Sequence, residues 1–311
     1  MLVMDIKFSE PKRLMRFTIV VSKADPAGAN FRKLFLEKAA FAETRKSFDG
    51  NPVLGFGNFE LLTLEKDQIF AEHLSEWQAQ TDCFVFASKH ASESKKPTLS
   101  VHAIGNWGND NSHGGKAKAL VPASGSLMKS YLLGLLGQKE KKRLEYDVCL
   151  EATHHGPFLE KPCVFIELGS SEGQWNDLRA AEAVVETVLN ESFSGKGQEF
   201  PRQGEGVSSS AVRSGTFVGL GGGHYCPEFS RGLLETPLRV SHVCPKYNLQ
   251  NFDKAMLEKS VSAVEGAGER FAGVLFDEKG LGTEKARVLK LVQESGFTAK
   301  GVREILAENK T

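Results

Sequence analysis

The sequence predicts an α/β protein in which helices cover both faces of a mixed or largely parallel sheet. Two observations support this fold class. Short runs that are almost wholly apolar, such as residues 83–87, are typical of strands buried on both faces. Segments whose apolar residues recur at helical spacing, such as residues 127–142, alternate with these runs along the chain. Strands that alternate with helices favour an α/β fold over an all-α or all-β fold.

The predicted elements extend over most of the chain. Strands are expected at residues 17–22, 83–87, 98–102, 146–151, 162–168, 216–220, 238–244 and 273–276. Helices are expected at residues 29–40, 127–142, 174–189, 253–264, 284–294 and 302–308. The helix at 174–189 begins with Ser171-x-x-Gln174, a spacing that is typical of a capping box.

We expect residues 1–311 to form one catalytic α/β domain. Residues 1–14 would be an N-terminal extension, and residues 250–311 a C-terminal α/β extension packed on the same domain. Residues 191–215 are polar and rich in glycine and serine, which indicates a flexible insertion or a surface loop. No internal repeat divides the chain further.

Composition limits the kinds of partner and compartment. The 39 basic and 39 acidic residues cancel, so an RNA partner would have to bind a local basic patch. The five cysteines are widely spaced and form no CxxC pair, which indicates a reducing compartment. No apolar stretch approaches the roughly 20 residues that a membrane-spanning helix needs. We expect a cytoplasmic protein, or one that is also nuclear, with no membrane partner and acting as a monomer or weak homo-oligomer.

The residues best suited to chemistry lie beside glycines at the ends of predicted strands. The sharpest case is the segment 151–157, EATHHGP. If the strand continues to residue 153, alternation places Glu151 and His155 on one face and His154 on the other. The Gly-Pro turn that follows would instead allow both histidines to converge. Either arrangement suits a metal ligand or a proton carrier, while one of the two histidines could simply pack or bind backbone.

Two further candidates follow other predicted strands. Glu167 lies near the end of an apolar run, where an unpaired carboxylate is costly to bury. It is a candidate metal ligand, general base or holder of a histidine, or else a helix cap or an arginine partner. The glycine run 221–223 before His224 is typical of a loop whose backbone N–H groups face a phosphate or oxyanion, although a tight turn would look the same.

The remaining candidates are weaker. Ser88 near His90 suggests a serine nucleophile, but the chain has no GxSxG elbow. His102 lies within a predicted strand and is a second-rank candidate. Tyr225 would either stack on a base or sugar or pack in the core. The two other histidines with polar surroundings, at 73 and 113, are expected to be surface residues.

Together these segments resemble a known family. The segments are SKHAS at 88–92, TLSVHxxGN at 98–106, EATHHGP at 151–157, FIELGS at 165–170 and GGGHYxP at 221–227. They are similar, in order, to those of the archaeal and plant type of D-aminoacyl-tRNA deacylase, from about residue 15 to residue 300. The chain departs from the family at Ser241-His242, where Gly-His is usual, and at His102-Ala103, where His-Pro is usual.

The resemblance implies a hydrolase that cleaves the ester between a D-amino acid and the tRNA 3′ end, which releases both. It also implies a Zn2+ requirement and a three-layer α/β/α fold with a mixed central sheet. That fold is phosphorylase/hydrolase-like and similar to peptidyl-tRNA hydrolase. Zinc would polarise the ester carbonyl and lower the pKa of a bound water to about 7.

Residue roles follow from the same resemblance. The expected metal ligands are His90, Glu151, His154 and His155. The expected catalytic residues are His155, Glu167 and His224. The expected substrate-binding residues are Ser88, Lys89, His102, Asn106, Gly221, Gly222, Gly223 and Tyr225.

Two alternative functions are also consistent with some of these observations. A metallopeptidase or a nucleoside-phosphorylase-like enzyme acting on small molecules would need no tRNA, and similarity of fold does not exclude it. A non-catalytic RNA-binding module would need a stronger basic face than a net charge of zero indicates. It would also leave the clustered histidines without a role.

Overall fold

The computed structural model describes residues 14–193 and 215–309. Strands in these ranges are β1 (Phe17–Ser22), β2 (Ala42–Phe48), β3 (Asn51–Phe56), β4 (Phe59–Leu64), β5 (Cys83–Ala91), β6 (Thr98–His102), β7 (Gly105–Asn106), β8 (Ala119–Leu120), β9 (Asp147–Leu150), β10 (Cys163–Ser170), β11 (Thr216–Leu220), β12 (Val240–Cys244), β13 (Phe271–Phe276) and β14 (Ala299–Gly301). Helices are α1 (Gly28–Lys38), α2 (Gly125–Lys142), α3 (Glu172–Trp175), α4 (Leu178–Phe193), α5 (Pro227–Glu235), α6 (Lys254–Gly266), α7 (Lys285–Glu294) and α8 (Val302–Glu308). Short 3-10 helices include Gln68–Phe70, Glu72–Gln80, Lys246–Asn251 and Gly282–Glu284.

The strands form two larger sheets. The first has the order β2-β3-β4-β1-β5-β10-β6-β9, and the second has the order β12-β11-β13-β14. In the first sheet β4, β1, β5 and β10 are parallel neighbours, whereas β6 runs antiparallel to β10. All pairs of the second sheet are parallel. The predicted α/β class with a mixed sheet is therefore confirmed, with the strands divided between two sheets.

Apolar side chains from both sheets join in one core. Its members include Ile166 of β10, Leu132 of α2 and Val243 of β12, all fully or almost fully buried. A separate core covers the other face of the first sheet, where Trp77 of a 3-10 helix packs beside the strands. A third core lies under α6 and α7 on the second sheet. Burial on both faces explains why the central strands are almost wholly apolar in sequence.

One buried carboxylate ties the long helix α2 to the second sheet. Glu269 accepts hydrogen bonds from the backbone N–H groups of Gly125 and Ser126, both at 3.0 Å. It also accepts from the hydroxyl of Ser124 at 2.5 Å and from the hydroxyl of Thr216, the first residue of β11. A carboxylate at this end of a helix satisfies free N–H groups and the positive end of the helix dipole.

Several boundaries differ from the prediction. The helix expected at 174–189 is two helices, α3 and α4, and the predicted capping box of Ser171 and Gln174 is confirmed at the start of α3. The meander β2–β3–β4 and the helix α5 were not predicted. Strand β2 alternates poorly and is mostly exposed, so it lacks the apolar pattern of a buried strand.

Parts of two predicted segments lie outside the described residues. Only residue 14 of the predicted N-terminal extension is described, and only residues 191–193 and 215 of the predicted insertion. Residues 191–193 form the end of α4 rather than a loop. No helix in the ranges 14–193 and 215–309 has both the length and the apolar character needed to cross a membrane.

Candidate active site

Three neighbouring strands place polar side chains on one face of the first sheet. Glu167 of β10 lies opposite Ser88 of β5 and Ser100 of β6. Side chains two residues apart on a strand point to the same face, so His90 and His102 share this face with Glu167. The hydrogen-bonded pairing of these strands therefore sets the distances between the three side chains, independently of the loops.

A glycine makes room for the first histidine. Gly169 pairs with His90 across β10 and β5. A Cβ atom on Gly169 would lie 2.7 Å from the Cβ of His90 and 2.9 Å from its Cδ2. Only glycine leaves the imidazole its place at this position.

The segment after β9 brings two more histidines to the same place. β9 ends at Leu150, so strand alternation does not extend through Thr153. His154 instead forms an isolated parallel bridge with Ile104, and His155 has a φ of 46°. The two imidazole centroids are 4.4 Å apart. The Gly-Pro turn thus allows convergence, the second of the two arrangements considered from the sequence.

Contacts with β12 hold this segment. The backbone N–H of Thr153 donates to the Val243 carbonyl at 3.0 Å, and the Thr153 hydroxyl accepts from the Val243 N–H at 3.1 Å. The same hydroxyl lies 3.2 Å from Nδ1 of His242, whose Nε2 lies 3.0 Å from the Val121 carbonyl oxygen. His242 is fully buried, and burial lowers its pKa to about 4, so the ring is neutral.

Glu151 is the centre of the cluster. Its carboxylate is completely buried, and Oε2 lies 2.9 Å from Nε2 of His224 and 4.0 Å from Nε2 of His154. Oε1 lies 3.3 Å from Nδ1 of His90, which is equally distant from Oε2 of Glu167. Despite these short distances, neither Glu151 oxygen has a hydrogen bond of good geometry within the described residues. Burial would raise the pKa of Glu151, but its contact with His224 and the charges of His90 and His102 lower it, so the carboxylate stays charged.

Three histidines share one tautomer. Nδ1 of His102 lies 3.1 Å from the carbonyl oxygen of Ala103, Nδ1 of His154 2.8 Å from that of Ala152, and Nδ1 of His155 2.7 Å from that of Gly156. A carbonyl oxygen only accepts, so each Nδ1 carries the hydrogen. In the neutral rings each Nε2 is then an unprotonated acceptor.

The three acceptor nitrogens face one another. One ligand atom from each of His102, His154 and His155 lies within 4.8 Å of the others. Burial, and then the charge of a protonated His102, lower the pKa of His155 to about 4 and that of His154 well below its usual range. Burial alone would lower the pKa of His102 too, but its contact with the Glu167 carboxylate raises it, so His102 is the most basic of the three rings. Neutral imidazoles with their Nδ1 hydrogens bound to carbonyls are the usual form of histidine in metal sites.

Neighbouring carboxylates raise the pKa of His90, whereas the pKa values of His154 and His155 are lowered. Burial alone would lower the pKa of His90, but the hydrogen bond to Glu167 and the charge of Glu151 raise it to about 10. Its Nε2 lies 3.1 Å from the Tyr225 hydroxyl, which is also 3.4 Å from the Ser94 hydroxyl. Tyr225 is therefore attached to the cluster through its oxygen.

The cluster opens into a cavity of about 610 Å³. His154 and His224 have side chains 29% and 32% exposed, and His155 is also partly exposed, so all three can meet solvent in the cavity. Ser88, Lys89 and Asn106 line the same cavity, as the predicted substrate-binding residues would. The Ser88 hydroxyl donates to the Lys89 carbonyl at 3.2 Å and not to a histidine, which does not support a serine nucleophile.

The glycine run is largely used to close its own loop. The N–H of Gly221 donates to the Cys244 carbonyl at 2.8 Å, and that of Gly222 to the Gly280 carbonyl at 3.3 Å. Gly221 and Gly222 have φ angles of 97° and 83°, which favour glycine. Gly223 is exposed, and within the described residues its N–H has no such backbone bond. The loop therefore presents at most this amide to a ligand.

Other cavity residues were not found from the sequence. They include Trp107, Asn109, His113, Tyr247, Asn248 and Asn251. The last three come from a 3-10 helix that directly follows β12, and none belongs to a motif with a known spacing. Only their place in the chain could have predicted them, since residues that directly follow a parallel strand often line a site. His113 lies in a polar loop as predicted, but it borders the cavity.

Taken alone, these features define an α/β protein with a histidine- and carboxylate-rich site of the kind that binds a metal ion and performs acid–base chemistry. The sequence profile of the D-aminoacyl-tRNA deacylase family matches residues 77–300. The chain is 35% identical over 282 residues to the D-aminoacyl-tRNA deacylase of Thermococcus onnurineus, which covers 89% of this chain and 96% of that protein. It is also 35% identical to the enzyme of that name from Pyrococcus horikoshii over 286 residues, covering 90% and 97% of the two chains. The chain therefore belongs to the D-aminoacyl-tRNA deacylase family.

A solved structure has the same fold. It is a crystal structure of a conserved protein of unknown function, with a TM-score of 0.78 and 27% sequence identity. The match covers 93% of this chain and 96% of that one. The two-sheet architecture is therefore shared by a protein well diverged in sequence.

Proposed function

We propose that this protein hydrolyses the ester bond between a D-amino acid and the 3′ end of tRNA, which releases both products. The observation that carries the proposal is the group of ring nitrogens from His102, His154 and His155, which lie within 4.8 Å of one another. Two buried carboxylates lie beside this group, and the site opens into the cavity. Such a set activates a water rather than holding a phosphate or a sugar. Membership of the deacylase family favours this function over a metallopeptidase or a nucleoside-phosphorylase-like enzyme.

The donor set fits a zinc ion. His102, His154 and His155 offer imidazole nitrogens, and the Glu151 oxygens lack good hydrogen bonds within the described residues, as expected of ligand atoms. We propose Zn2+ as the cofactor, held by these three nitrogens with Glu151 beside them. His90 is not one of these ligands, because its Nδ1 lies between two carboxylates; with Glu151 and His224 it forms a second group that could hold a metal ion. When bound, zinc would supply Lewis acidity toward the ester carbonyl and a water of lowered pKa.

The protein's own groups would orient and move the proton. Oε2 of Glu151 lies 2.9 Å from Nε2 of His224, so the carboxylate would hold this ring by its charge and leave Nδ1 to take a proton from the attacking water. His224 is one-third exposed to the cavity, so it can contact substrate. Glu167 holds His90 and His102 from behind, at 3.3 and 3.7 Å. It therefore acts as a positioning residue in this proposal.

The finer features of the family belong to the same proposal. We infer a three-layer α/β/α architecture of the phosphorylase/hydrolase kind, similar to peptidyl-tRNA hydrolase, and a cytoplasmic or also nuclear monomer or weak homo-oligomer. Some surface lysines that a tRNA could meet are already paired with carboxylates: Lys96 with Asp147, Lys118 with Asp253 and Lys142 with Glu182. Recognition near the cavity would then matter more than a wide basic surface.

Deacylation of D-tyrosyl-tRNA and L-tyrosyl-tRNA tests the proposal. We expect the wild-type protein to prefer the D form and to lose activity in a chelator, with recovery on adding Zn2+. His154→Gln should lower kcat by roughly a hundredfold or more and reduce bound zinc, because it removes a proposed ligand. Zinc content is measured by atomic emission.

A matched control uses the other cavity histidine. His113→Gln changes an imidazole that lines the same cavity outside the cluster, and it should leave kcat and zinc content close to wild type. Equal hydrolysis of the two stereoisomers would contradict the D-specific function. Full activity in the presence of the chelator would contradict the proposed zinc cofactor but not the D-specific function.

A further inference from the structure

An exposed aromatic side chain lies at the mouth of the cavity. Tyr247 is 54% exposed and lines the cavity together with Asn248 and Asn251. We call these three residues, from the 3-10 helix Lys246–Asn251, the cavity lip. An aromatic ring at the mouth of a reactive cavity offers a face on which a planar ligand group can stack.

The lip is fixed to the loop that bears His224. The N–H of Lys246 donates to the Gly222 carbonyl at 2.9 Å. Beneath the lip, the buried indole of Trp107 donates to the Val243 carbonyl at 3.2 Å and packs on Phe252 with ring centroids 5.9 Å apart. These contacts hold the cavity lip in a fixed position relative to the loop that bears His224.

Two carboxamides give the lip a matched donor and acceptor. Nδ2 of Asn251 donates to Oδ1 of Asn248 at 3.2 Å. That bond leaves Nδ2 of Asn248 as a donor and Oδ1 of Asn251 as an acceptor, and within residues 14–193 and 215–309 neither atom has another hydrogen bond. Adenine offers the complementary pair, an exocyclic N–H donor beside a ring-nitrogen acceptor.

We propose that the cavity lip binds the adenine of the 3′-terminal nucleotide, with Tyr247 stacked on the base and the two asparagines on its edge. The proposal rests on the function proposed above, since the ester of aminoacyl-tRNA is formed on the ribose of that adenosine. With the ester carbonyl at the cluster, the ribose places the base and the amino acid on different sides of the reacting carbon. The cavity volume of about 610 Å³ suits a ligand larger than an amino acid alone.

The other tyrosine near the cluster is less suited to this role. The hydroxyl of Tyr225 contacts His90 and Ser94, and its ring lies 5.3 Å from that of His224. A base could stack on Tyr225 only by displacing members of the cluster. Tyr247 has no such contacts among the described residues, so a base can cover it without disturbing the site.

Fluorescence of a terminal 2-aminopurine tests the stacking. An uncharged tRNA acceptor-stem helix, with 2-aminopurine in place of the terminal adenine, is titrated with wild-type, Tyr247→Phe and Tyr247→Leu proteins. We expect quenching with the wild type and Tyr247→Phe, and affinity roughly tenfold weaker with little quenching for Tyr247→Leu, because base stacking on an aromatic ring is lost. In deacylation of D-tyrosyl-tRNA, Tyr247→Leu should raise KM by a similar factor with little change in kcat.

The controls separate this proposal from the function. Phe70 is another exposed ring, 52% exposed, that does not line the cavity, and Phe70→Leu should quench like the wild type. No quenching by the wild type, or equal quenching by Tyr247→Leu, overturns the assignment, as does a loss in Phe70→Leu as large as in Tyr247→Leu. Quenching that depends on Tyr247 without any deacylation by the wild type would support the lip and overturn the proposed function.

The edge contact has its own readout. A helix that ends in inosine reverses the donor and acceptor pattern of the base edge. We expect the wild type to bind the adenosine-ended helix more tightly than the inosine-ended one, and Asn248→Ala to lose this preference while both helices still bind. Equal affinity of the wild type for the two ends would overturn the role of the asparagines.

Discussion

Single residues in this site are positioned by close backbone approach as much as by their own chemistry. His90 lies between two carboxylates only because its strand neighbour has no side chain. The sequence indicated that Gly169 follows a buried strand and that His90 ends another. It could not indicate that the two are cross-strand partners, because register between distant strands is a tertiary property.

Gly169→Ala should therefore harm activity through His90. The added methyl would lie 2.7 Å from the His90 Cβ, so we expect the imidazole to move and the free energy of unfolding to fall by about 1 to 3 kcal/mol. Urea unfolding and deacylation rates measure the two effects. Gly173→Ala on α3 is the control, since a Cβ there meets nothing within 4 Å, and it should be neutral or slightly stabilising. Unchanged activity in Gly169→Ala would contradict the steric argument.

The candidate residues themselves were largely accessible from the sequence. Histidines and glutamates beside glycines at strand ends led to Glu151, Glu167, His154, His155 and His224, and the structure brings all five together. The sequence could not show which of these side chains lie next to one another. His102 was expected to bind substrate, yet one of its ring nitrogens lies within 4.8 Å of ring nitrogens of His154 and His155. Side-chain direction at the end of a strand depends on the backbone path, which sequence spacing does not specify.

Among the elements, α2 links the two sheets. Its N-terminus is bound by a carboxylate from the turn before β13, and its apolar residues pack in the core shared by both sheets. The sequence predicted α2 from its apolar stripe and several parallel strands from their apolar runs. It did not predict the meander β2–β4 or the lip helix Lys246–Asn251; of these, β2 and the lip helix lack a strong apolar period.

Glu269→Gln tests that link. The amide offers one acceptor oxygen in place of two and removes the charge at the helix N-terminus, so we expect a loss of about 2 to 3 kcal/mol in the free energy of unfolding. Chemical denaturation measures it. Glu258→Gln is a suitable comparison, because within the described part of the chain Glu258 forms only an exposed i,i+4 pair with Lys254 at 3.9 Å, and the change should cost less than about 0.5 kcal/mol. Similar losses in the two variants would refute the anchoring role.

For the whole molecule, buried neutral histidine makes stability depend on pH. The pKa of His242 is lowered by burial to about 4, compared with 6.5 for an ordinary histidine. Between these values the unfolded chain takes up a proton that the folded chain does not. The contribution of neutral His242 to the free energy of unfolding is therefore complete above pH 6.5 and is lost as the pH falls toward 4.

His242→Gln should reduce this acid sensitivity. Between pH 7.5 and pH 5 the wild type should lose about 2 kcal/mol more unfolding free energy than the variant, measured by urea titration in the presence of a chelator. His73→Gln, which changes a partly exposed histidine stacked on Phe48, serves as the comparison. The same slope against pH in His242→Gln and wild type would show that His242 does not contribute.

The backbone carbonyls that accept from the three clustered histidines have a consequence for mutational robustness. In many metal sites a carboxylate side chain holds the ligand histidine, and a single substitution can delete it. Here the acceptors belong to Ala103, Ala152 and Gly156, and every amino acid supplies a carbonyl oxygen. Substitution at those positions can alter the backbone path but cannot remove the acceptor. The tautomers of the three histidines are thus protected against point mutation of the residues whose carbonyls define them.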